Sequence, residues 1–156
     1  MGEIIRGHDQ ILQHAYEVFN SIPMPRGVQL ILPPPCAREI KAVFIEYVPS
    51  ESLSASVDIP PHYANAVGVL QGGFLAALFD NLMAPLSLLV AKGPTTSLDL
   101  TTYFLHPVLP GERLTLIARA HKAGRTVQHI AANATNEQGK LVATASSTFQ
   151  VLSVPA

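Results

Sequence analysis

Asp80 is the residue in this chain with the clearest capacity for chemistry. It is the single carboxylate in an apolar stretch, Asn65 to Ala91, that carries a Gly72-Gly73 step and then a helix hydrophobic on nearly every side. A lone ionisable group on such a helix is unfavourable to bury unless it is paired, neutralised or used. At the helix start the first backbone N–H groups have no intrahelical partner, and the macrodipole puts partial positive charge there. With no side chain on Gly72 or Gly73, a ligand oxygen can approach those amides closely, as in the polarisation of a carbonyl.

Gly72 and Asp80 are eight residues apart, or ~12 Å along a helix at 1.5 Å per residue. One carbonyl group cannot reach both in the same chain. Two such helices running antiparallel across a two-fold axis would bring Asp80 of one to the Gln71-Gly72 end of the other, so a dimer would carry two composite sites. Burial between subunits would raise the pKa of Asp80 unless hydrogen-bond donors offset it. The bland readings are a carboxylate tied to nearby hydroxyls and glycines that let the helix pack closely on a strand.

The elements around this helix follow from periodicity. Ile11, Leu12, Ala15, Tyr16 and Phe19 predict an amphipathic helix over 8–20. Pro23, Pro25 and Pro33 to Pro35 predict an extended connector with an apolar piece, Val28 to Leu32, tucked against the body. Strands are expected over 39–48 and, from the alternation of Leu53, Ala55, Val57 and Ile59 with Ser52, Ser54, Ser56 and Asp58, over the following run. After the breaker Gly93-Pro94, four further strands are expected, Thr95 to His106, Glu112 to His121, Thr126 to Thr135 and Lys140 to Leu152, with short connections that make the sheet antiparallel. Pro85 predicts a kink one turn beyond Asp80. The fold class is α+β: a curved antiparallel sheet wrapped around one long central helix, with an N-terminal helix. Residues 1–37 read as helix plus connector and 38–156 as the main domain.

Composition narrows the function. The chain has 156 residues, 48% apolar and 13% charged, with net charge -1. So little charge leaves surface for self-association, and the absence of a basic block argues against nucleic acid. The single Cys36 excludes an internal disulfide and is expected to be a small buried hydrophobe in a reducing, cytoplasmic setting. No signal peptide is read at the start. Asp80, Asn81 and Pro85 leave the helix an apolar run too short for a membrane. The six histidines lack metal-ligand spacing, His62 near the Asn65 loop reads as structural, and no dinucleotide fingerprint or Ser or Cys nucleophile motif occurs. Neither a metal nor a cofactor is expected.

The run N-A-V-G-V-L-Q-G-G-x6-D-N, with T-S-L-D at 96–99, resembles the hotdog-fold acyl-CoA thioesterases of the phenylacetate-pathway and human thioesterase-superfamily type, over roughly Arg38 to Leu152. The resemblance implies an acyl-CoA thioester hydrolase acting as a dimer or dimer of dimers. It implies that Asp80 is nucleophile or water-activating base, that Gly72 polarises the thioester carbonyl, that Asn65 orients the nucleophile or its loop, and that Ser97 positions water. Ser97 also falls at the opposite strand parity from Leu98 and Leu100, off the core face. Lys122 and Arg125, at a turn resembling the family's Gly-Arg-Thr, are candidates for the CoA phosphates, while Phe74, Leu78 and Leu82 are expected to line an acyl pocket. One departure stands out: the pattern has His-Gly-Gly where this chain has Gln71-Gly72-Gly73. Gln donates and accepts hydrogen bonds but does not titrate near neutral pH. Two alternatives therefore accompany hydrolysis: binding of acyl-CoA without turnover, and a hydratase-like hotdog enzyme, which ranks last because such an enzyme is expected to keep a histidine beside the acid.

Overall fold

A computed structural model describes residues 2–24 and 26–153. Pro25 of the expected connector and the last three residues of the expected main domain lie outside the described residues. The chain runs β1 (Ile5–Arg6), α1 (His8–Ser21), α2 (Pro35–Ile40), β2 (Val43–Val48), β3 (Ser52–Asp58), a 3-10 turn (Pro61–Tyr63), α3 (Gly72–Ala91), β4 (Thr95–Ser97), β5 (Thr101–Phe104), β6 (Arg113–Ala123), β7 (Val127–Thr135) and β8 (Leu141–Val151). One antiparallel sheet has the order β1-β2-β3-β6-β7-β8-β4, with β5 also paired to β8.

The alternating residues of β3 and β6 meet across the ladder as Leu53–Ala118, Ala55–Leu116 and Val57–Leu114. All six side chains are buried, so one sheet face is continuously apolar. Against it lies α3, which buries Leu75, Leu78, Phe79, Leu82, Met83, Leu86 and Leu89. Phe79, Met83 and Leu86 are fully enclosed; each such side chain contributes roughly 1.5–3 kcal/mol of burial free energy. Met83, Leu86 and Leu89 are thus core residues. Pro85 is accommodated in a helix that continues unbroken from Gly72 to Ala91.

Two features hold the far end of α3. The Ser87 hydroxyl donates to Ala84 O at 2.8 Å and meets Thr95 Oγ1 at 2.6 Å. Buried Gln128, with its amide turned so that both its polar atoms are satisfied, donates to Ser87 O and accepts from Ala91 N–H. The α3 terminus is thereby tied to β4 and β7.

Helix α1 forms as expected, burying Ile11, Ala15 and Phe19 on one stripe. Its start is fixed where β2 bulges between Phe44 and Glu46: Gly7 N–H donates to Ile45 O, and Phe44 N–H donates to His8 Nδ1. Of the connector's apolar piece, Leu30 and Leu32 pack on the core, whereas Val28 and Ile31 face solvent.

Several expectations are corrected. The strand read over 39–48 begins only at Val43, because Pro35 at the first helical position starts the short helix α2. The expected domain boundary at 37/38 falls inside α2, and Ile11, Ala15, Phe19 and Ile22 belong to the same core as the sheet. Cys36 is exposed, since α2 buries none of its residues. The expected strand 95–106 is two pieces, β4 and β5. By length and composition the 20-residue α3 is long and apolar enough to cross a membrane, contrary to the short run read from the sequence. In this fold it is instead the core helix of the sheet.

Candidate functional site

The loop before α3 is ordered by Asn65. Its Oδ1 accepts from Val67 N–H at 3.0 Å and Val69 N–H at 3.3 Å, and its main chain exchanges bonds with Val69 and Gly68. This side-chain-to-backbone pattern is the usual use of Asn in a tight loop. Leu70 N–H then donates to Val108 O, and Gln71 N–H to Tyr63 O, which fixes the entry to the helix. Asn65 thus holds its own loop, and no hydrogen bond joins it to Asp80.

Gln71 is the N-cap of α3, and its side-chain Oε1 accepts from both Gly73 N–H and Phe74 N–H. Two of the orphan amides at the helix start are thereby satisfied. Gly72 N–H has no acceptor among the described residues. The Gly72 amide is left as the free positive end of the helix. A Cβ at Gly72 would stand 2.9 Å from Phe104 Cζ, so the ring of Phe104 lies directly over the glycine. Gly72 and Phe104 open on a pocket of about 310 Å³, shared with Leu75, Leu105, His106 and Val108. Phe74 stacks on Tyr63, with centroids 4.0 Å apart and planes 6° from parallel.

Asp80 sits on the other flank of α3. It is half-buried, no protein group hydrogen-bonds to it among the described residues, and burial pushes its carboxyl above the usual aspartate value. That rise comes from desolvation within the single chain, with no donor among the described residues opposing it. Asp80 lines a second pocket, of about 350 Å³, with Ala76, Ala77, Ser97, Leu98 and Asp99. Ser97 is exposed at the end of β4, but Leu98, read from strand parity as a core-face neighbour, is exposed too, so the parity argument does not hold here.

The structure thus brings Asp80 and Ser97 together at one pocket, while of Gln71, Gly72 and Gly73 only Gly72 lines the other. Lys122 and Arg125 are exposed at the β6–β7 hairpin and form no ion pair among the described residues. One row across the sheet runs Ala123, Gln128, Phe149, Ser97, so the hairpin stands about three strand spacings, ~14 Å, from Ser97. His62 meets Glu39 Oε1 at 3.3 Å and abuts Tyr63 edge-on. No group of three metal-ligating side chains comes together among the described residues.

Leu78 and Leu82 do not line an acyl pocket, because both are buried against the sheet; of the three expected residues only Phe74 is exposed. Residues two apart on a helix point about 200° away from each other at 3.6 residues per turn, so Leu78 and Leu82 could not share a face with Asp80. Ala76 and Ala77, four and three residues before Asp80, do share it. Phe104 and Asp99 were not anticipated at the site. The run T-S-L-D contained Asp99, but nothing in its spacing showed which way it pointed.

A family model described as Thioesterase superfamily matches residues 67–143. Acyl-coenzyme A thioesterase 13 of Homo sapiens is 32% identical over 87 residues, 54% of this chain and 62% of that protein, so the match spans less than two thirds of the relative. The crystal structure of a putative thioesterase, a phenylacetic acid degradation-related protein from Ralstonia eutropha, superposes with a TM-score of 0.69 at 31% identity, covering 81% of this chain and 95% of that one. The PaaI protein of the E. coli phenylacetic acid degradation operon has the same fold, with a TM-score of 0.74 at 17% identity over 94% of this chain and 96% of that one.

Proposed function

The chain belongs to the thioesterase superfamily and has its hotdog fold, and from that membership and the geometry at Asp80 we propose that it hydrolyses acyl-CoA thioesters at a site shared between two subunits. The observation that carries the reading is Asp80 itself: a half-buried carboxylate whose pKa is raised by burial, with no protein partner among the described residues, lining a pocket beside Ser97. Perturbed, unpaired carboxylates in pockets are typical of groups used in proton transfer or attack.

The second subunit follows from distance. The free Gly72 amide and Asp80 are ~12 Å apart along one helix, and they open on different pockets. The sheet-averse flank of α3 is small and apolar, with Gly73 and Ala77 exposed and Ala76 and Ala84 partly so. Leu98 and Phe104, which line the two pockets beside it, are each 57% exposed. A patch of that kind is characteristic of an interface. When two copies pack antiparallel through it, the carbonyl oxygen sits on Gly72 N–H of one protomer and the carbonyl carbon faces Asp80 of its partner. Asp80 takes a proton from water as the water oxygen bonds to the carbonyl carbon, or its carboxylate bonds to that carbon and water then hydrolyses the mixed anhydride, regenerating Asp80; in either case the C–S bond breaks, the CoA sulfur leaves with a proton, and the free acid remains. Asn65 acts by ordering the loop, and Ser97 by holding water near Asp80. Lys122 and Arg125 meet the phosphates of CoA from the hairpin.

Gln71 supports a second reading, binding without turnover, because its Oε1 is spent on helix amides and the side chain cannot titrate. Thiol release from a panel of acyl-CoAs separates the two. Hydrolysis predicts turnover that falls at least ~100-fold in Asp80→Ala and Asp80→Asn, the scale of a lost general base. Tight acyl-CoA binding by calorimetry with no thiol release selects the binder, and turnover unchanged by both substitutions removes Asp80 from the chemistry.

A further inference from the structure

We propose that Asp99 is the positioning residue for Ser97, acting through a one-residue bulge that its side chain and carbonyl hold against β8. The kinetic part of this inference rests on the thioesterase reading above; the structural part does not.

The registers of β4 and β5 against β8 differ by one. Ser97 pairs with Phe149, whereas Thr101 pairs with Ser146. Leu98, Asp99 and Leu100 therefore face only Ser147 and Thr148, three residues against two, and the one residue in excess is that of a β-bulge. Three hydrogen bonds span the gap. Leu98 N–H donates to Thr148 O at 2.8 Å. Thr148 N–H donates to Asp99 Oδ1 at 3.1 Å, so a carboxylate replaces the main-chain carbonyl that a regular ladder would supply. The hydroxyl of fully buried Ser147 donates to Asp99 O at 2.7 Å. Both β8 residues opposite the bulge are thus bonded by Asp99.

The consequence reaches the site because a bulge changes side-chain parity along a strand. An unbroken strand would turn alternate residues of 97–100 away from α3. Instead Ser97, Leu98, Asp99 and Leu100 all line the Asp80 pocket. Ser97 is the last regular ladder residue before the bulge, so its hydroxyl direction depends on where the chain leaves the ladder. Without the Asp99 carboxylate, Thr148 N–H loses its acceptor and the segment relaxes toward one of two regular registers. A displacement of about 1 Å at a group that orients water is enough to lower turnover substantially.

The test compares Asp99→Ala with Asp99→Asn in the full chain. Asn retains an oxygen in place of Oδ1 and keeps the acceptor without the charge. Amide hydrogen exchange at Thr148 is expected to rise about tenfold or more in Asp99→Ala, the scale of a lost bond to a charged acceptor, and to stay within about threefold of wild type in Asp99→Asn. On the best acyl-CoA of the panel, Asp99→Ala is expected to lower kcat about tenfold with little change in KM, Asp99→Asn to restore most of it, and the Ser97→Ala, Asp99→Ala pair to be no slower than Ser97→Ala alone. Unchanged exchange at Thr148 in Asp99→Ala overturns the bulge assignment. Losses that multiply in the double variant, or Asp99→Asn as slow as Asp99→Ala, overturn positioning through Ser97 and make Asp99 an independent group in the reaction. A wild-type chain that turns over no acyl-CoA defeats the thioesterase reading, and the exchange comparison still decides whether Asp99 holds the bulge.

Discussion

Substituting Gly72 by Ala separates the helix's role in folding from its role in polarising a carbonyl. Replacing Gly by Ala in a helix stabilises by roughly 0.5–1 kcal/mol through backbone entropy. Here the added methyl would lie 2.9 Å from Phe104 Cζ and 3.2 Å from Cε2. Restoring ordinary carbon contact, about 3.5–4.0 Å, requires the ring to withdraw by ~0.6–1 Å. Phe104 is 57% exposed and stands at the end of β5, so it can yield without disturbing the core. The two stability effects oppose each other, and Tm is expected to change by less than about 3 °C, since 1 kcal/mol corresponds to ~2–4 °C at this size. Activity is different, because the methyl and the displaced ring both intrude on the free amide. A loss of ~10²-fold in kcat/KM is expected, the scale of one oxyanion donor removed. Thermal melts with steady-state thiol release measure both. Adding Phe104→Ala to Gly72→Ala removes the crowded ring: recovery of activity assigns the loss to Phe104 displacement, and persistence assigns it to the blocked amide. Activity within twofold of wild type in Gly72→Ala refutes the role given to the Gly72 N–H.

Two further outcomes follow from the same geometry. Gln71→Ala removes the acceptor of Gly73 N–H and Phe74 N–H and is expected to destabilise by about 1 kcal/mol; Gln71→His, whose ring nitrogen accepts only while unprotonated, should add an ionisation near pH 6.5 to the kcat/KM profile that the wild type lacks, and an unchanged profile would detach this position from the chemistry. Asp80 has a folded pKa raised above its ordinary 3.8 by burial, so its favourable contribution is complete below that value and lost as pH rises through the folded pKa. The Tm advantage of Asp80→Asn over wild type should therefore be larger near pH 7 than near pH 4, and equal advantages at the two pH values would show that the carboxylate is not desolvated in the folded state.

What could be read from the sequence divides by the kind of interaction that makes each element. β3 and β6 were legible because burial on one sheet face leaves a period of two in the residue types, and Leu53, Ala55 and Val57 find Ala118, Leu116 and Leu114 across the ladder. Gly72 and Asp80 were legible as a pair because helix rise turns eight residues into a distance that one carbonyl cannot bridge. α2 was not, because its short turn starts from Pro35 and buries nothing, so no apolar stripe records it. The break between β4 and β5 left no periodic trace either, being made by Asp99 and Ser147, polar groups whose partners are nearly fifty residues away. Gln71 lies between these cases. Its departure from the His-Gly-Gly pattern was visible, but its meaning depended on which atoms the side chain reaches. With Oε1 on Gly73 N–H and Phe74 N–H, the amide performs at every pH the capping that a histidine could perform only as the neutral ring. The residue that removes an acid–base group from the pattern thus leaves the Gly72 N–H as the one donor at the helix start without an acceptor among the described residues, and in the proposed reaction the ionisation that matters is that of Asp80.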